Sequence, residues 1–213
     1  MAHPGSRYLV PVVSAVRRVA LAARAARERI ASQVWFWRHE TPDRDVLEQV
    51  IFPALREHTD INRILLVGCE WYTRHYPRAF GDGEVWTIDA DPAKARYGAE
   101  RHVVDTVANL GAHFPPATFD AVIFNGMLGC GVDDADDAEA AVAQCFDCLR
   151  PSGLFILGWD DEDGMRPVLP DEIAALTRFE PVTLPPFTAP SYPTFGSLRH
   201  VFEFYTRPTA DGR

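Results

Sequence analysis

At 213 residues, with 47% hydrophobic and 24% charged positions, the chain has the length and composition of one globular domain with an appendage. Its net charge of −9 argues against a broad nucleic-acid-binding face, and it contains no run of 18 apolar residues that could span a membrane. Four Cys, at 69, 130, 145 and 148, do not make a secreted disulfide framework in a chain this long, so the expected compartment is the cytoplasm.

The charge is unevenly spread. Residues 1–45 hold eight Arg and four acids, which leaves −13 for the remainder. Residues 12–32 are rich in Ala and Arg and read as a helix, with Val12, Val16, Val19 and Ala23 on one stripe. Residues 1–40 are therefore expected to form a basic amphipathic arm, with Trp35-Phe36-Trp37 as its anchor. Such an arm would cover the domain, pair with a twin subunit, or rest on a membrane surface and make the protein peripheral. The apolar stretch Tyr8 to Val16 is cut short by Arg17-Arg18, so no signal peptide is expected.

The main domain is expected over 41–213. Thr41-Pro42-Asp43 reads as a helix start, with Thr41 as N-cap and Pro42 at N1. Val46, Leu47, Val50, Ile51 and Leu55 form the buried stripe of that helix, which ends near His58. The pattern then alternates. Strands are expected at 61–67, 84–89, 100–104, 119–125 and 154–159. Between them come a short helix, a helix begun by Asp91-Pro92, one around 106–112 and one over 134–149 with acids at its start. This succession implies a mostly parallel sheet with helices on both sides. The tail is different. Residues 181–196 are rich in Pro and read as a strand and a long loop, while 198–206 alternate as a final strand. With no helix between them the two should pair as a hairpin, so one strand must run antiparallel to the rest.

Two features point to a nucleoside. The run Ile61 to Val67 ends in Gly68, and Glu84-Val85-Trp86-Thr87-Ile88 ends in Asp89, 21 positions beyond Gly68. A glycine lets backbone approach a ligand, and an acid at the next strand end accepts hydrogen bonds from ribose hydroxyls.

These residues resemble the class I S-adenosylmethionine-dependent methyltransferases over roughly residues 60–206. Phe119-Asp120-Ala121-Val122-Ile123-Phe124-Asn125-Gly126 is similar to the family's fourth strand, and Leu149-Arg150-Pro151-Ser152-Gly153-Leu154 to the turn before its fifth. The resemblance implies an α/β fold. Its seven-stranded, mostly parallel, doubly wound sheet ends in an antiparallel last strand, here preceded by N-terminal helices. It also implies S-adenosylmethionine as cofactor, held by Gly68, Cys69, Glu70, Asp89, Ala90, Asp105, Thr106, Asn125 and Gly126. Asp89 takes the ribose, and Asp105 the adenine amino group unless it only caps the next helix. Asn125-Gly126-Met127-Leu128 resembles the Asn-x-x-Leu-x-His stretch of small-molecule members, with Cys130 where His is common.

The first loop departs from the family pattern acid-x-Gly-x-Gly-x-Gly. Leu66 stands for the acid, Glu70 for the second glycine and Tyr72 for the third, with Pro77 close behind. Glu70 would attract the cofactor's ammonium and repel its carboxylate.

Other groups read as structural. Cys145-x-x-Cys148 sits mid-helix without a second pair at zinc spacing, and no metal is expected. The acids at 133–139 read as a solvated loop and first turn, and those at 160–163 as a polar loop. No residue stands out as a catalytic base, with Glu70, Tyr72 and His75 the candidates near the loop. The first functional expectation is methyl transfer to a small-molecule or glycan acceptor at oxygen, with nucleic acid an improbable substrate. The second is a protein of this fold that does not methylate, acting as a cyclase, isomerase or regulatory partner. A nicotinamide dehydrogenase is a third, disfavoured by the poor glycine loop. Residues 40–213 are expected to fold without the basic arm. A truncation starting near residue 40 that expresses only as aggregate would contradict this.

Overall fold

The computed structural model describes residues 42–162, 167–195 and 199–209. The basic arm, the Thr41 cap and Asp163 lie outside the described residues.

The first described helix begins as Pro42–Val46, widens into a π-helical stretch at Leu47–Ile51, and continues as Phe52–Glu57. Pro53 explains the widening. It has no N–H to donate, and its ring would clash with the carbonyl of Gln49 in a regular helix. The chain inserts an extra residue, so the Phe52 N–H reaches back to the Leu47 carbonyl. The wider turn rotates the buried face. Leu47, Ile51 and Leu55 are buried as expected and Phe52 joins them, while Val46 and Val50 stay half-buried.

Among the described residues eight strands follow: β1 Arg63–Val67, β2 Glu84–Asp89, β3 Arg101–Val104, β4 Phe119–Asn125, β5 Leu149–Asp160, β6 Glu180–Pro181, β7 Ser191–Pro193 and β8 His200–Thr206. They form one sheet in the order β3-β2-β1-β4-β5-β8-β6, with β7 also paired to β8. Strands β1 to β5 are mutually parallel, and β8 runs antiparallel to β5. This is the expected mixed doubly wound architecture. The expected tail hairpin is β7 with β8, and its short β7 adds an eighth strand.

The central strands are apolar on both faces, as parallel strands covered on both sides must be. One face carries Leu65, Val67, Val122, Phe124, Phe155 and Leu157, packed on the helix Ala135–Cys148. The other carries Ile64, Leu66, Ala121, Ile123, Ile156 and Phe204, packed on the helix around Phe52. Burying each large side chain contributes about 1.5–3 kcal/mol. The helix Ala135–Cys148 is capped by Asp134, whose carboxylate accepts the Asp137 N–H at 2.8 Å. Other crossovers are short. The helix expected after Asp91 is a 3-10 stretch, Pro92–Tyr97, and the one around 106–112 is split into Val107–Asn109 and Leu110–His113. After β1 there is only the 3-10 stretch Tyr76–Phe80, with Pro77 in its first turn and Gly81 just past its end.

Asp120 ties the lower edge of the sheet. Its Oδ2 accepts the backbone N–H groups of Asn62 (2.9 Å) and Arg63 (2.7 Å), and its Oδ1 accepts from Arg150 Nε at 2.6 Å. Arg150 also donates to the Asp60 carbonyl at 2.7 Å. Burial pushes the Asp120 carboxyl up, but the bonds from Arg63, Asn62 and Arg150 outweigh burial and hold it below the usual range. A depressed folded-state value means that the stabilisation is complete above the unfolded Asp range. It is lost as pH falls through the folded value. Asp120→Asn should therefore cost roughly 1.5–3 kcal/mol in urea denaturation at neutral pH. The gap to wild type should narrow on acidification, and a gap that is constant with pH would contradict the assignment.

Candidate cofactor site

The parallel register brings the expected residues to one edge. Val67 pairs with Ile88 and with Phe124, and Asp89 pairs with Val104, so Gly68, Asp89, Asp105 and Asn125 all sit at carboxyl ends of adjacent strands. The strand order reverses between β1 and β4, and open sheets of this kind bind ligands outside that crevice.

Gly68 is required twice. Its φ is +82°, a left-handed conformation that side chains disfavour, and an added Cβ would lie 2.6 Å from Met127 Sδ. Its N–H donates to the Ile88 carbonyl at 2.9 Å, which ties the first loop to β2. Asp89 completes the tie. Its Oδ2 accepts the Cys69 N–H and its Oδ1 the Asp91 N–H, each at 2.8 Å. A carboxylate offers about four lone-pair directions, so two remain for a ligand. The Asp89 side chain is 9% exposed. Asp91, and not Asp89, caps the following turn through the Ala93 N–H at 2.8 Å.

The altered loop closes on itself. Thr73 Oγ1 accepts the Glu70 N–H at 2.9 Å, and the Thr73 N–H donates to the Glu70 carbonyl at 3.0 Å. This compact turn stands where the family has glycines. Tyr72 lies under the Arg44 guanidinium, 3.7 Å from ring centroid to Cζ, and edge-on to Trp71. Burial pushes the Tyr72 phenol up.

Glu70 faces Lys94, with Oε1 to Nζ at 2.7 Å, and Lys94 Nζ is 3.9 Å from Asp89 Oδ2. Burial would lower Lys94, but the hydrogen bond to Glu70 and the charges of Glu70 and Asp89 outweigh it, so its pKa is raised and it stays charged. Sequence reading missed Lys94. Its signal was that the chain's one Lys sits five residues after Asp89.

The remaining expected residues divide. Ala90 is exposed beside Asp89. Asp105 is engaged within its own turn: Oδ1 accepts the Thr106 N–H (2.7 Å) and Asn109 Nδ2 (2.9 Å), and Oδ2 meets His113 Nε2 at 2.8 Å. The His113 bond, then those from Asn109 and the Thr106 amide, pull its carboxyl to about 2. The following turn Val107–Asn109 starts at Thr106 without a side-chain cap, so Asp105 holds this loop through side chains and does not cap the turn. Asn125 and Gly126 end β4, where Asn125 Oδ1 lies 3.0 Å from His200 Nε2 and His200 Nδ1 lies 2.7 Å from Asp160 Oδ1. Neither Asp160 nor His200 was expected in the site. The signal was His200 at the head of a strand whose alternate residues, Phe202 and Phe204, are buried. Among the described residues no group of His, Cys, Asp and Glu is arranged to hold a metal ion.

A mixed doubly wound sheet with a glycine turn and an acid at adjacent strand ends is the arrangement with which open α/β sheets hold nucleosides. Residues 65–157 match the family model described as a methyltransferase domain. The N-methyltransferase NodS from Bradyrhizobium japonicum, in complex with S-adenosylhomocysteine, is similar with a TM-score of 0.62 at 12% identity, over 80% of this chain and 90% of that one. The 1,6-didemethyltoxoflavin N1-methyltransferase of Burkholderia thailandensis gives 0.57 at 19% identity, over 98% and 92%. A TehB-like methyltransferase from Corynebacterium glutamicum gives 0.57 at 16%, over 86% and 99%. These likenesses establish the fold. No curated protein matches the sequence. The match over residues 65–157 and the fold are both those of a methyltransferase domain.

The thiols are passive. Burial pushes Cys69 and Cys148 up to about 11 and raises Cys145 further, and Cys145 and Cys148 lie on the buried stripe of their helix. Cys130 alone of the four is exposed. Native protein treated with iodoacetamide at mildly alkaline pH should be labelled at Cys130, with the other three reacting only after denaturation. Fast labelling of the Cys145-x-x-Cys148 pair would revive a redox role.

Proposed function

We propose that the chain transfers a methyl group from S-adenosylmethionine to a small-molecule or glycan acceptor, in the cytoplasm. The observation that carries the reading is Asp89, locked by the Cys69 and Asp91 amides with lone pairs to spare for a ribose. The nucleoside end fits: Gly68 keeps the turn open, and Asp89 accepts from hydroxyls. The amino-acid end also fits in charge. Lys94 and Glu70 offer one charge of each sign to a zwitterion that carries both. Bound there, the cofactor supplies a methyl group already activated on a sulfonium, so the protein's task is in-line positioning.

Oxygen remains the proposed acceptor atom. Nitrogen is the second reading, favoured by the names of NodS and the toxoflavin enzyme, both N-methyltransferases. A product mass spectrum after reaction with labelled donor and cell extract separates the two. Nucleic acid is disfavoured by the net charge of −9. No helix among the described residues is long and apolar enough to cross a membrane. Contact with a membrane surface or a twin subunit is proposed for the basic arm.

Isothermal titration should give micromolar binding of S-adenosylhomocysteine. Asp89→Ala should weaken it roughly ten- to a hundredfold, the loss of charge-assisted ribose bonds worth about 1.5–3 kcal/mol. Asp89→Asn, which keeps the shape, should weaken it less. Unchanged affinity in both would remove Asp89 from the site, and no heat with wild type would favour the non-methylating reading.

A further inference from the structure

Strand β1 leads into the Gly68 turn, and β4 ends at Asn125, two residues before Met127. The sheet order reverses between these two strands, and the ligand crevice of an open sheet lies outside their carboxyl ends. Met127 reaches across that crevice. Its Sδ lies 2.6 Å, and its Cε 3.7 Å, from where a Cβ on Gly68 would stand. The same Cε is 3.6 Å from where a Cβ on Gly131 would stand. The thioether therefore spans from the β4 loop to the first turn, with bare backbone on both sides of it. The large ring of the first loop is held elsewhere, since Tyr72 stacks on the Arg44 guanidinium.

The backbone beneath Met127 is fixed, and its side chain is not. The Met127 carbonyl accepts the Cys130 and Val132 N–H groups, each at 3.0 Å. Leu128, the next residue, is buried and bridged to Val132. The Met127 side chain is half-buried, and its end meets Gly68 through dispersion contacts, which are individually weak. An unbranched chain with three rotatable bonds and a polarizable sulfur changes rotamer at little cost. Met127 lies on the β4 side of Gly68, while Asp89 lies on the β2 side. A nucleoside that ends at a ribose held by Asp89 leaves Met127 undisturbed. A ligand that continues beyond the ribose over the first turn meets the thioether.

We propose that Met127 plugs the crevice in the empty protein: its thioether covers the Gly68 turn and swings aside, on a fixed backbone, to admit the sulfur-containing chain of an S-adenosyl ligand. This rests on the cofactor reading above. The side chain and the ligand's chain have the same chemistry, an unbranched aliphatic segment interrupted by sulfur, so a surface that accommodates one accommodates the other. The plug acts on one part of the ligand only. Apparent affinity for a ligand that needs the open state falls by the fraction of time the crevice is open. A ligand that stops at the ribose does not pay that factor.

The test is isothermal titration of the full chain and its Met127→Ala variant with S-adenosylhomocysteine and with adenosine. The variant should bind S-adenosylhomocysteine about five- to tenfold more tightly, as a mostly closed plug requires, and adenosine as the wild type does. Met127→Phe, bulkier and stiffer, should weaken S-adenosylhomocysteine and leave adenosine unchanged. NMR of the wild type with 13C-methyl methionine reads the plug directly. The Met127 methyl, assigned among the chain's three methionines by its loss in Met127→Ala, should show a cross-peak to the Gly68 α protons in the free protein. That cross-peak should vanish at saturation with S-adenosylhomocysteine. Equal or weaker binding of S-adenosylhomocysteine by Met127→Ala overturns the plug and leaves the cofactor reading standing, as does a cross-peak that survives saturation. An equal gain for adenosine also overturns it, because that is a general loosening of the loop. No binding of S-adenosylhomocysteine to either protein overturns the cofactor reading and the plug with it. If neither variant folds, the wild-type cross-peak decides, with assignment by through-bond connection to the Met127 backbone.

Discussion

The Asp89 carboxylate holds the upper edge of this sheet in one geometry. Two peptide N–H groups from different loops, Cys69 and Asp91, converge on its two oxygens. Without it the loop after β1 and the turn after β2 would each carry an unsatisfied amide at a half-buried edge, a cost of about 1–3 kcal/mol apiece. The same carboxylate is the group that the proposed reading offers to ribose. Structural and ligand roles coexist because a carboxylate can accept more bonds than the two amides use. The acid at this position therefore fixes the shape of the site before any ligand enters it.

The lower edge is secured in a similar way by Asp120, which joins the start of β1 to Arg150 before the buried run of β5. The two acids sit at opposite edges of the sheet, Asp89 at the end of β2 and Asp120 near the start of β4, with β1 between them. Between them the strands are almost wholly apolar, so burial drives the sheet together and the acids set where each strand begins and ends. Arg150 leads into the turn at Pro151-Ser152-Gly153, where the β4–β5 register shifts between Phe119 and Ala121.

Much of the fold was legible because strand burial and helix capping leave local marks. The run 119–125 is apolar on both faces and is β4 to the residue, and 84–89 is β2. Asp134 and the acids after it marked the start of the long helix, and Asp91-Pro92 marked a turn. What the turn became was less legible. The pattern suggested helices where the chain makes short 3-10 stretches, since a capping acid and a Pro specify a start and not a length. The π-helical stretch was also missed, although Pro53 inside the apolar stripe was its local cause. Strand β7 has three residues in a Pro-rich segment and pairs only because β8 offers it an open edge. In the site, the strand-end residues Gly68, Asp89 and Asn125 were readable because parallel strands deliver their ends together. Lys94 and His200 were not. Each meets its partner across a separation in sequence that no local pattern encodes, 24 residues from Glu70 to Lys94 and 75 from Asn125 to His200.

Glu70 shows how a departure from a family pattern can be balanced from elsewhere. Alone beside Asp89 it would add a second negative charge to the loop where the proposed cofactor would bring its own carboxylate. Lys94 reaches across from the turn after β2, contacts Glu70 at 2.7 Å and lies 3.9 Å from Asp89, so the three groups sum to one negative charge. Both members of the pair remain more than a third exposed by side chain, and such pairs are worth about 0–1 kcal/mol. The bridge is therefore too weak to be a device for stability, and weak enough for a ligand to open. A zwitterion entering beside it exchanges one half-hydrated pair for two, its ammonium toward Glu70 and its carboxylate toward Lys94. In this reading the loop has replaced the close backbone approach of glycine with charge matching. The Thr73 turn and the Arg44-stacked Tyr72 then serve to hold Glu70 where Lys94 can reach it.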